Sequence, residues 1–315
     1  MEEFKSGFVT VIGRTNVGKS SIINSLVGEK VSAIANKPQT TRTRIKGIIN
    51  RENLQIIILD TPGIHKPKSK LGNTMVENAI SSIPDVDIVL YVIDAKEKRI
   101  DEKTIEKIKQ SNKKTILIIN KIDLVDAKRV AELIDTYKNL YDFKAILPVS
   151  VTKNKNIEEI IMEIRNNLEE GPAYYSEDEY TDQTLRQLAE ETIREKALKL
   201  LQDEVPHGIL VQATKMKMRK TKELEKIYDI EATIFCLRNS HKGIIIGKSG
   251  TMLKKIGTYA REDLEKILDT KVNLKLWVKV KEGWIDDESI VKKFKAEDWK
   301  KGKEAYVKTN CLEYL

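Results

Sequence analysis

Between residues 8 and 168, short runs of β-branched residues alternate with stretches of helical period. The runs are Phe8–Gly13, Ile45–Asn50, Leu54–Asp60, Ile88–Asp94, Thr115–Asn120 and Ala145–Ser150. Several are apolar at all but one or two positions, as expected of strands buried on both faces of a mainly parallel sheet. Only Arg51-Glu52-Asn53 separates the second run from the third. That is too short for a crossover, so the pair is expected to form an antiparallel hairpin. The region reads as an α/β sandwich on a mainly parallel six-stranded sheet.

The pattern stops at Gly171-Pro172. Ala173 to Asp182 is acidic, contains tyrosines, follows neither period and reads as a linker. From Thr184, the positions Leu185, Leu188, Ala189, Ile193, Ala197, Leu200 and Leu201 share one helical face, and Pro206 marks its end. Strand candidates Ile209–Ala213 and Ala232–Leu237 follow, then the run His241–Gly250, a helix Thr251–Leu268 and a strand Val272–Val280. This α-β-β-α-α-β order describes a small α+β domain. The expected organisation is a first domain over residues 1–172, a linker over 173–183, and a second domain over 184–315 with its core at about 203–281.

Composition narrows the class. A chain of 315 residues with 40% hydrophobic and 33% charged side chains can bury two cores and is not intrinsically disordered. No apolar run approaches the roughly 20 residues of a membrane span, and Met1-Glu2-Glu3-Phe4-Lys5 lacks the features of a signal peptide. The expected location is cytoplasmic, with Cys236 and Cys311 as free thiols. Most of the net +8 charge is local: residues 204–281 hold 17 basic and 9 acidic side chains, which suits a polyanionic partner.

The first run leads straight into Gly13-Arg14-Thr15-Asn16-Val17-Gly18-Lys19-Ser20, and a helix-like stretch begins at Ser21. Strand, G-x-x-x-x-G-K-S and helix together make a phosphate-binding P-loop. Its glycines let backbone N–H groups converge on a phosphate at a positive helix end. Lys19 is expected between the β- and γ-phosphates, and the Ser20 hydroxyl on Mg²⁺. Asp60 closes the third run in Asp60-Thr61-Pro62-Gly63, where a carboxylate can hold Mg²⁺ through water and the Gly63 amide can sense a third phosphate.

The fifth run ends in Asn120-Lys121-Ile122-Asp123. An ionised Asp123 accepts only, so it can take the N1–H and 2-amino protons of guanine and disfavours adenine. Lys121 is expected to cover a base face, Asn120 to tie this loop to the P-loop, and Ser150-Val151-Thr152 to meet the guanine O6.

With these motifs in order, residues 7–168 resemble the translation-factor-like branch of the small GTP-binding proteins. Pro38-Gln39-Thr40-Thr41-Arg42-Thr43-Arg44 resembles the first switch of the Era family of ribosome-assembly GTPases. The resemblance implies GTP and GDP as ligands, with Mg²⁺ held in the GTP state by Thr40 or Thr41. Thr41 is the first choice, although spacing does not choose between them. Lys19, Thr41 and Gly63 are then the groups expected to act on the γ-phosphate. Ile64 stands where the best-known signalling GTPases keep a water-orienting glutamine, so hydrolysis should be slow and partner-dependent. Asn16 resembles the potassium-coordinating asparagine of a related group, which suggests K⁺ as a further cofactor.

In the second domain, Gly243-Ile244-Ile245-Ile246-Gly247-Lys248-Ser249-Gly250 before an amphipathic helix resembles a type II KH domain, whose G-x-x-G loop clamps RNA. Expected RNA contacts are Ile246, Gly247, Lys248, Ser249 and Gly250, together with Lys215, Lys217 and Arg219. The resemblance implies a monomer that binds the 3′ end of 16S ribosomal RNA and acts in 30S subunit assembly. The alternative is a membrane-associated switch whose basic segment meets anionic lipid. Trp284, Phe294 and Trp299 are expected to pack rather than stack on bases. The scattered His65, His207 and His241 suggest neither a zinc site nor a catalytic triad.

Overall fold

The computed structural model describes residues 3–35, 37, 40–42, 45–64, 67, 69–220 and 225–295. Pro38, Gln39, Thr43, Arg44, His65, Thr221, Lys222, Trp299 and Cys311 lie outside these residues. The first sheet contains β1 (Lys5–Ile12), β2 (Ile45–Arg51), β3 (Leu54–Asp60), β4 (Ile88–Asp94), β5 (Lys114–Asn120) and β6 (Ala145–Pro148). Its order is β2-β3-β1-β4-β5-β6, with β2 antiparallel to β3 and every other pairing parallel. The helices are α1 (Lys19–Val27), α2 (Lys70–Ser81), α3 (Glu102–Ser111), α4 (Ala127–Lys138) and α5 (Glu158–Asn167).

The largely apolar strands are explained by two cores, one on each face. Ile56 and Ile58 of β3 pack with Ile23 and Leu26 of α1 and Ile160 and Ile164 of α5. Ile57 and Leu59 point to the other face, beside Ile105 and Ile108 of α3 and Leu133 of α4. Because successive side chains alternate, both sets had to be apolar. The C-terminal ends of β1, β3 and β5 therefore open at one edge of the sheet, where ligands bind in such folds.

The stretch expected as a linker lies along this sheet. Gln55 Oε1 accepts from the Tyr174 and Tyr175 amides at 2.6 and 3.0 Å, and the Ile48 amide donates to the Tyr180 carbonyl at 2.9 Å. The chain then enters α6 (Leu185–Leu200), whose first turn carries a capping box between Thr184 and Gln187.

The second sheet has the order β7-β8-β9, from β7 (Leu210–Lys220), β8 (Lys226–Cys236) and β9 (Lys271–Val280). β7 and β8 form a long antiparallel pair that continues through the segment Lys215–Lys220, beyond the shorter strands expected from sequence. β8 and β9 are parallel, so α7 (Asn239–Ile246) and α8 (Thr251–Ile267) supply the crossover. α6 and α8 cover one face of this sheet through Ile193, Ala197, Ile256 and Ala260, packed on Ala232, Ile234 and Val278.

One end of the opposite face is closed by the segment after β9 together with α2 of the first domain. Leu210 and Phe235 meet Trp284, Ile290 and Val291, and Leu71 and Met75 of α2 complete the cluster. Trp284 is fully buried and donates its indole N–H to the Gly208 carbonyl at 2.9 Å. Phe294 packs beside it, so both aromatics serve packing as expected.

Candidate nucleotide and nucleic-acid sites

A cavity of about 630 Å³ opens at the edge where β1, β3 and β5 end. Thr15, Asn16, Gly18, Lys19, Ser20 and Ser21 line one side, and Asn120, Lys121, Asp123, Val151 and Thr152 the other, with Thr40, Thr41 and Gly63 between. Gly13, Arg14 and Val17 serve through their backbones: Lys19 Nζ donates to the Gly13 and Arg14 carbonyls at 3.1 and 2.8 Å, and Asn120 Nδ2 donates to the Val17 carbonyl at 2.9 Å. Asn120 thus joins the two loops as expected. Gly63 presses against the P-loop; a Cβ there would lie 2.8 Å from Thr15 Cα and 2.9 Å from its amide nitrogen. Thr61 turns away, donating its hydroxyl to the Val11 carbonyl at 2.7 Å, and Pro62 is buried beside it.

Where spacing left two threonines open, geometry separates them. The Thr41 hydroxyl lies 3.0 Å from Ser20 Oγ and 3.2 Å from Asp60 Oδ2, while Ser20 Oγ donates to the same carboxylate oxygen at 2.8 Å. Thr40 instead donates to the Ala35 and Lys37 carbonyls at 3.1 and 2.6 Å. Asp60 is fully buried, and its Oδ1 has no hydrogen-bond partner among the described residues. A buried carboxylate with one oxygen unpartnered and two hydroxyls at the other has the donor chemistry of a hard divalent cation, so these residues fit Mg²⁺. Burial raises the Asp60 pKa, against the pull of nearby Lys19.

Burial also acts on Lys19, lowering its pKa to about 8 despite the opposing Asp60 charge. Phosphates favour the ammonium, so binding raises this pKa and takes up a proton. Affinity is complete below the free-state pKa and declines as pH rises through it. Nucleotide affinity is therefore expected to fall above about pH 8, by up to about tenfold per pH unit, with calorimetric heats that depend on buffer ionisation. A flat affinity between pH 7 and 10 would contradict the assignment.

At the far end of the cavity, Asp123 accepts from Ser150 Oγ at 2.5 Å and from Thr152 Oγ1 at 3.2 Å. The Ser150 bond, opposed by a little desolvation, holds the carboxyl below its usual range. Lys121 Nζ donates to the Asn16 carbonyl and to Asp94 Oδ2, each at 2.7 Å. Asp94 was missed in the sequence, although its place at the end of a buried strand resembles that of Asp60. Leu124 is half exposed on the cavity wall, an apolar surface for a base. Ile34, Ala35 and Lys37 also line the cavity, and no periodicity marked them.

The loop that carries Thr41 is gripped by the second domain. Arg42 is 2% exposed and donates to the Ile209 carbonyl and, at 3.0 Å, to the His207 carbonyl, with its guanidinium 5.4 Å from the Trp284 ring centroid. Burial, and then the neighbouring Arg194, lower the Arg42 pKa, but it remains cationic at neutral pH. Arg194 donates to the Thr40 carbonyl, and the buried Glu195 accepts from the Ile34 amide at 3.2 Å and from Lys30 at 3.1 Å. Burial alone would raise the Glu195 pKa; Lys199 and Lys30 outweigh it and hold the group ionised.

In the second domain, Gly247, Ser249 and Gly250 all have positive φ, at 74, 50 and 80°. The turn leaves the amides at the α8 N-terminus without a side-chain cap, and a Cβ on Gly250 would meet nothing within 4 Å. Backbone is thus open to a phosphate there. Ile244, Ile245 and Ile246 divide: Ile245 enters the core, Ile246 packs partly against it, and Ile244 is half exposed. A groove of about 390 Å³ runs from Gly250 between α8 and β9, lined by Leu253, Lys254, Gly257, Thr258, Arg261, Leu274 and Leu276. The G-x-x-G pattern gives no direct signal for these residues. Lys215, Lys217 and Arg219 lie on β7, at the opposite edge of the sheet from the β9 wall of this groove. Two of them are paired, Lys215 with Glu231 at 3.4 Å and Arg219 with Asp229 at 2.7 Å.

A family model described as a 50S ribosome-binding GTPase matches residues 8–121, and one described as a KH domain matches residues 204–285. The fold and these sites define a P-loop GTPase joined to a KH domain. GTPase Era of Clostridium kluyveri is 50% identical over 290 residues, covering 91% of this chain and 98% of that protein. GTPase Era of Ruminiclostridium cellulolyticum is 48% identical, covering 92% and 96%. The chain belongs to the GTPase Era family, enzymes that bind guanine nucleotide with Mg²⁺ and hydrolyse GTP. Among solved structures, a single-site variant of Aquifex aeolicus Era bound to GDP and aluminium fluoride superposes with a TM-score of 0.87 at 41% identity, over 93% of this chain and 100% of that one. An Era complex with MgGDPNP and nucleotides 1506–1542 of 16S ribosomal RNA gives 0.88 at 42% identity, with the same coverage.

Proposed function

We propose that this chain binds the 3′ region of 16S ribosomal RNA through its KH groove and uses GTP to time a step of 30S subunit assembly. The observation that carries the reading is the chain of contacts from Asp60 and Ser20 to Thr41, and from the adjacent Arg42 into the second domain. In it, Lys19 holds the β- and γ-phosphates, Ser20 and Thr41 ligate Mg²⁺, Asp60 orders its water, and the Gly63 amide meets the γ-phosphate. Mg²⁺ supplies charge neutralisation at the transferred phosphoryl group. Asp123 reads guanine; Lys121 and Leu124 flank the base.

GTP would draw Thr41 onto the metal and, through Arg42 and Arg194, set the second domain; loss of the γ-phosphate would release it. The apolar Ile64 side chain cannot orient water, so turnover is slow and waits on a partner. None of the relatives reported above is described as membrane-associated, and the RNA reading is the one favoured. No helix among the described residues is long and apolar enough to cross a membrane. The protein acts in the cytoplasm as a monomer.

The test is RNA binding by Gly250→Asp, which places bulk and negative charge against a phosphate. Affinity for an RNA from the 16S 3′ end should fall at least about tenfold while GTP affinity stays unchanged. Wild-type RNA affinity in that variant would remove the KH groove from the mechanism. A second expectation concerns potassium. Asn16 lines the cavity with a left-handed φ of 66°, and its side chain makes no hydrogen bond among the described residues, which suits a monovalent cation beside the phosphates. Turnover should be about tenfold or more faster in potassium than in sodium, and Asn16→Ala should erase the difference. Equal wild-type rates in the two salts would exclude this role.

A further inference from the structure

The face of the KH sheet turned away from α6 and α8 carries a feature that the groove does not use. Along β9, Val272, Leu274, Leu276, Val278 and Val280 face the core, while Lys271, Asn273, Lys275, Trp277 and Lys279 face outward. Trp277 is 41% exposed, in a chain that buries Trp284 completely. It stands opposite the buried Thr233, which in turn faces Gln212 across β8 and β7, with Glu231 and Phe235 as its diagonal neighbours on β8.

We propose that Trp277, Lys275 and Lys279 form a second contact surface for single-stranded RNA, reached by the strand that leaves the G-x-x-G groove. The inference rests on the RNA reading above. Continuity is the first support. β9 is the free edge of its sheet, and Leu274 and Leu276 form the groove wall, so Lys275 and Trp277 are their immediate chain neighbours on the other side of that edge. A strand crossing one edge passes from one surface to the other.

Charge is the second support. Lys215 and Arg219 of β7 are engaged by Glu231 and Asp229, whereas Lys271, Lys275 and Lys279 make no ion pair among the described residues. On this face of β7 that leaves Lys217 without an ion pair among the described residues, whereas on β9 Lys275, opposite Glu231, and Lys279 stand on both sides of an indole. A flat aromatic ring between two cations suits a stacked base with a phosphate on either side. The cluster around Trp284 reaches Phe235, opposite Lys279, while Trp277, one step before it along the sheet, keeps its exposure.

The test uses the full chain with a non-hydrolysable GTP analogue and two RNAs from the 16S 3′ end. One has about four nucleotides, the length a G-x-x-G groove holds, and one about twelve. Trp277→Ala should weaken the longer RNA about tenfold and leave the shorter unchanged. Trp277→Phe, which keeps a stacking face, should restore most of the loss. Lys275→Ala with Lys279→Ala should reduce the slope of log affinity against log salt by about 1.4 for the longer RNA only. RNA-free GTP turnover and thermal midpoint should not move.

Unchanged affinity of Trp277→Ala for the longer RNA overturns the proposal, as does equal weakening of both lengths, which would mark a structural role. Gly250→Asp separates the two readings. If it spares both RNAs, RNA binding through the groove fails; if it weakens both while Trp277→Ala weakens neither, only the second surface fails. Reduced binding of Trp277→Ala to vesicles containing anionic phospholipid, with RNA affinity intact, would assign the face to a membrane instead and also overturn the proposal.

Discussion

Asp123→Asn should move the nucleotide preference from GTP to xanthosine triphosphate, lowering GTP affinity by about a thousandfold or more. The carboxylate presents two acceptors, fixed by Ser150 Oγ at 2.5 Å and Thr152 Oγ1 at 3.2 Å. Guanine offers two donors to it, N1–H and the 2-amino group. An asparagine amide would turn a donor toward the 2-amino group, leaving two donors opposed in a partly desolvated site. Xanthine carries a carbonyl at that carbon, so the amide donor regains a partner. Titration of both triphosphates by calorimetry reads the exchange directly; GTP affinity equal to wild type would refute the base-reading assignment.

Arg42→Ala should uncouple the two halves of the molecule. The guanidinium satisfies two carbonyls, His207 and Ile209, and lies over Trp284, all on the far side of a domain boundary. Truncation leaves buried carbonyls unpaired beside a hole, which costs about 3 kcal/mol of the docked arrangement. Coupling free energies between sites are typically about 1–3 kcal/mol, so this loss is large enough to erase them. The expected result is that the ratio of RNA affinities in GTP-analogue and GDP states falls to about one. By reciprocity, RNA should then no longer change affinity for the analogue. Arg42→Lys should fail to rescue, because an ammonium neither forks to two carbonyls nor stacks on an indole. A wild-type ratio in Arg42→Ala would show that the contact is only structural.

The catalytic half was legible because its chemistry is local. Each motif occupies contiguous residues at the end of a strand, and the apolar runs that mark those strands also determine that they end at one edge. The antiparallel second strand followed from a three-residue connection. Weaker periodicity hid the extent of β7 and β8: Lys215–Lys220 is charged at every other position or more, yet it continues the ladder because β8 pairs with it throughout. Backbone pairing there outweighs strand propensity, which is itself set by context.

By itself the sequence determined the α/β and KH organisation, the phosphate loop, the carboxylate proposed to read the base, and the G-x-x-G turn. All of these depend on backbone conformation and side-chain chemistry within a few consecutive residues. Only the tertiary structure decided that Thr41 rather than Thr40 joins Ser20 and Asp60, that Asp94 braces Lys121, and that Lys215 and Arg219 sit paired on the edge away from the groove. It alone showed Arg42 seated in the second domain, 167 residues away along the chain. Such contacts arise from how two finished cores pack, and the partners of a buried guanidinium are backbone carbonyls, which are present at every residue and leave no trace in residue type.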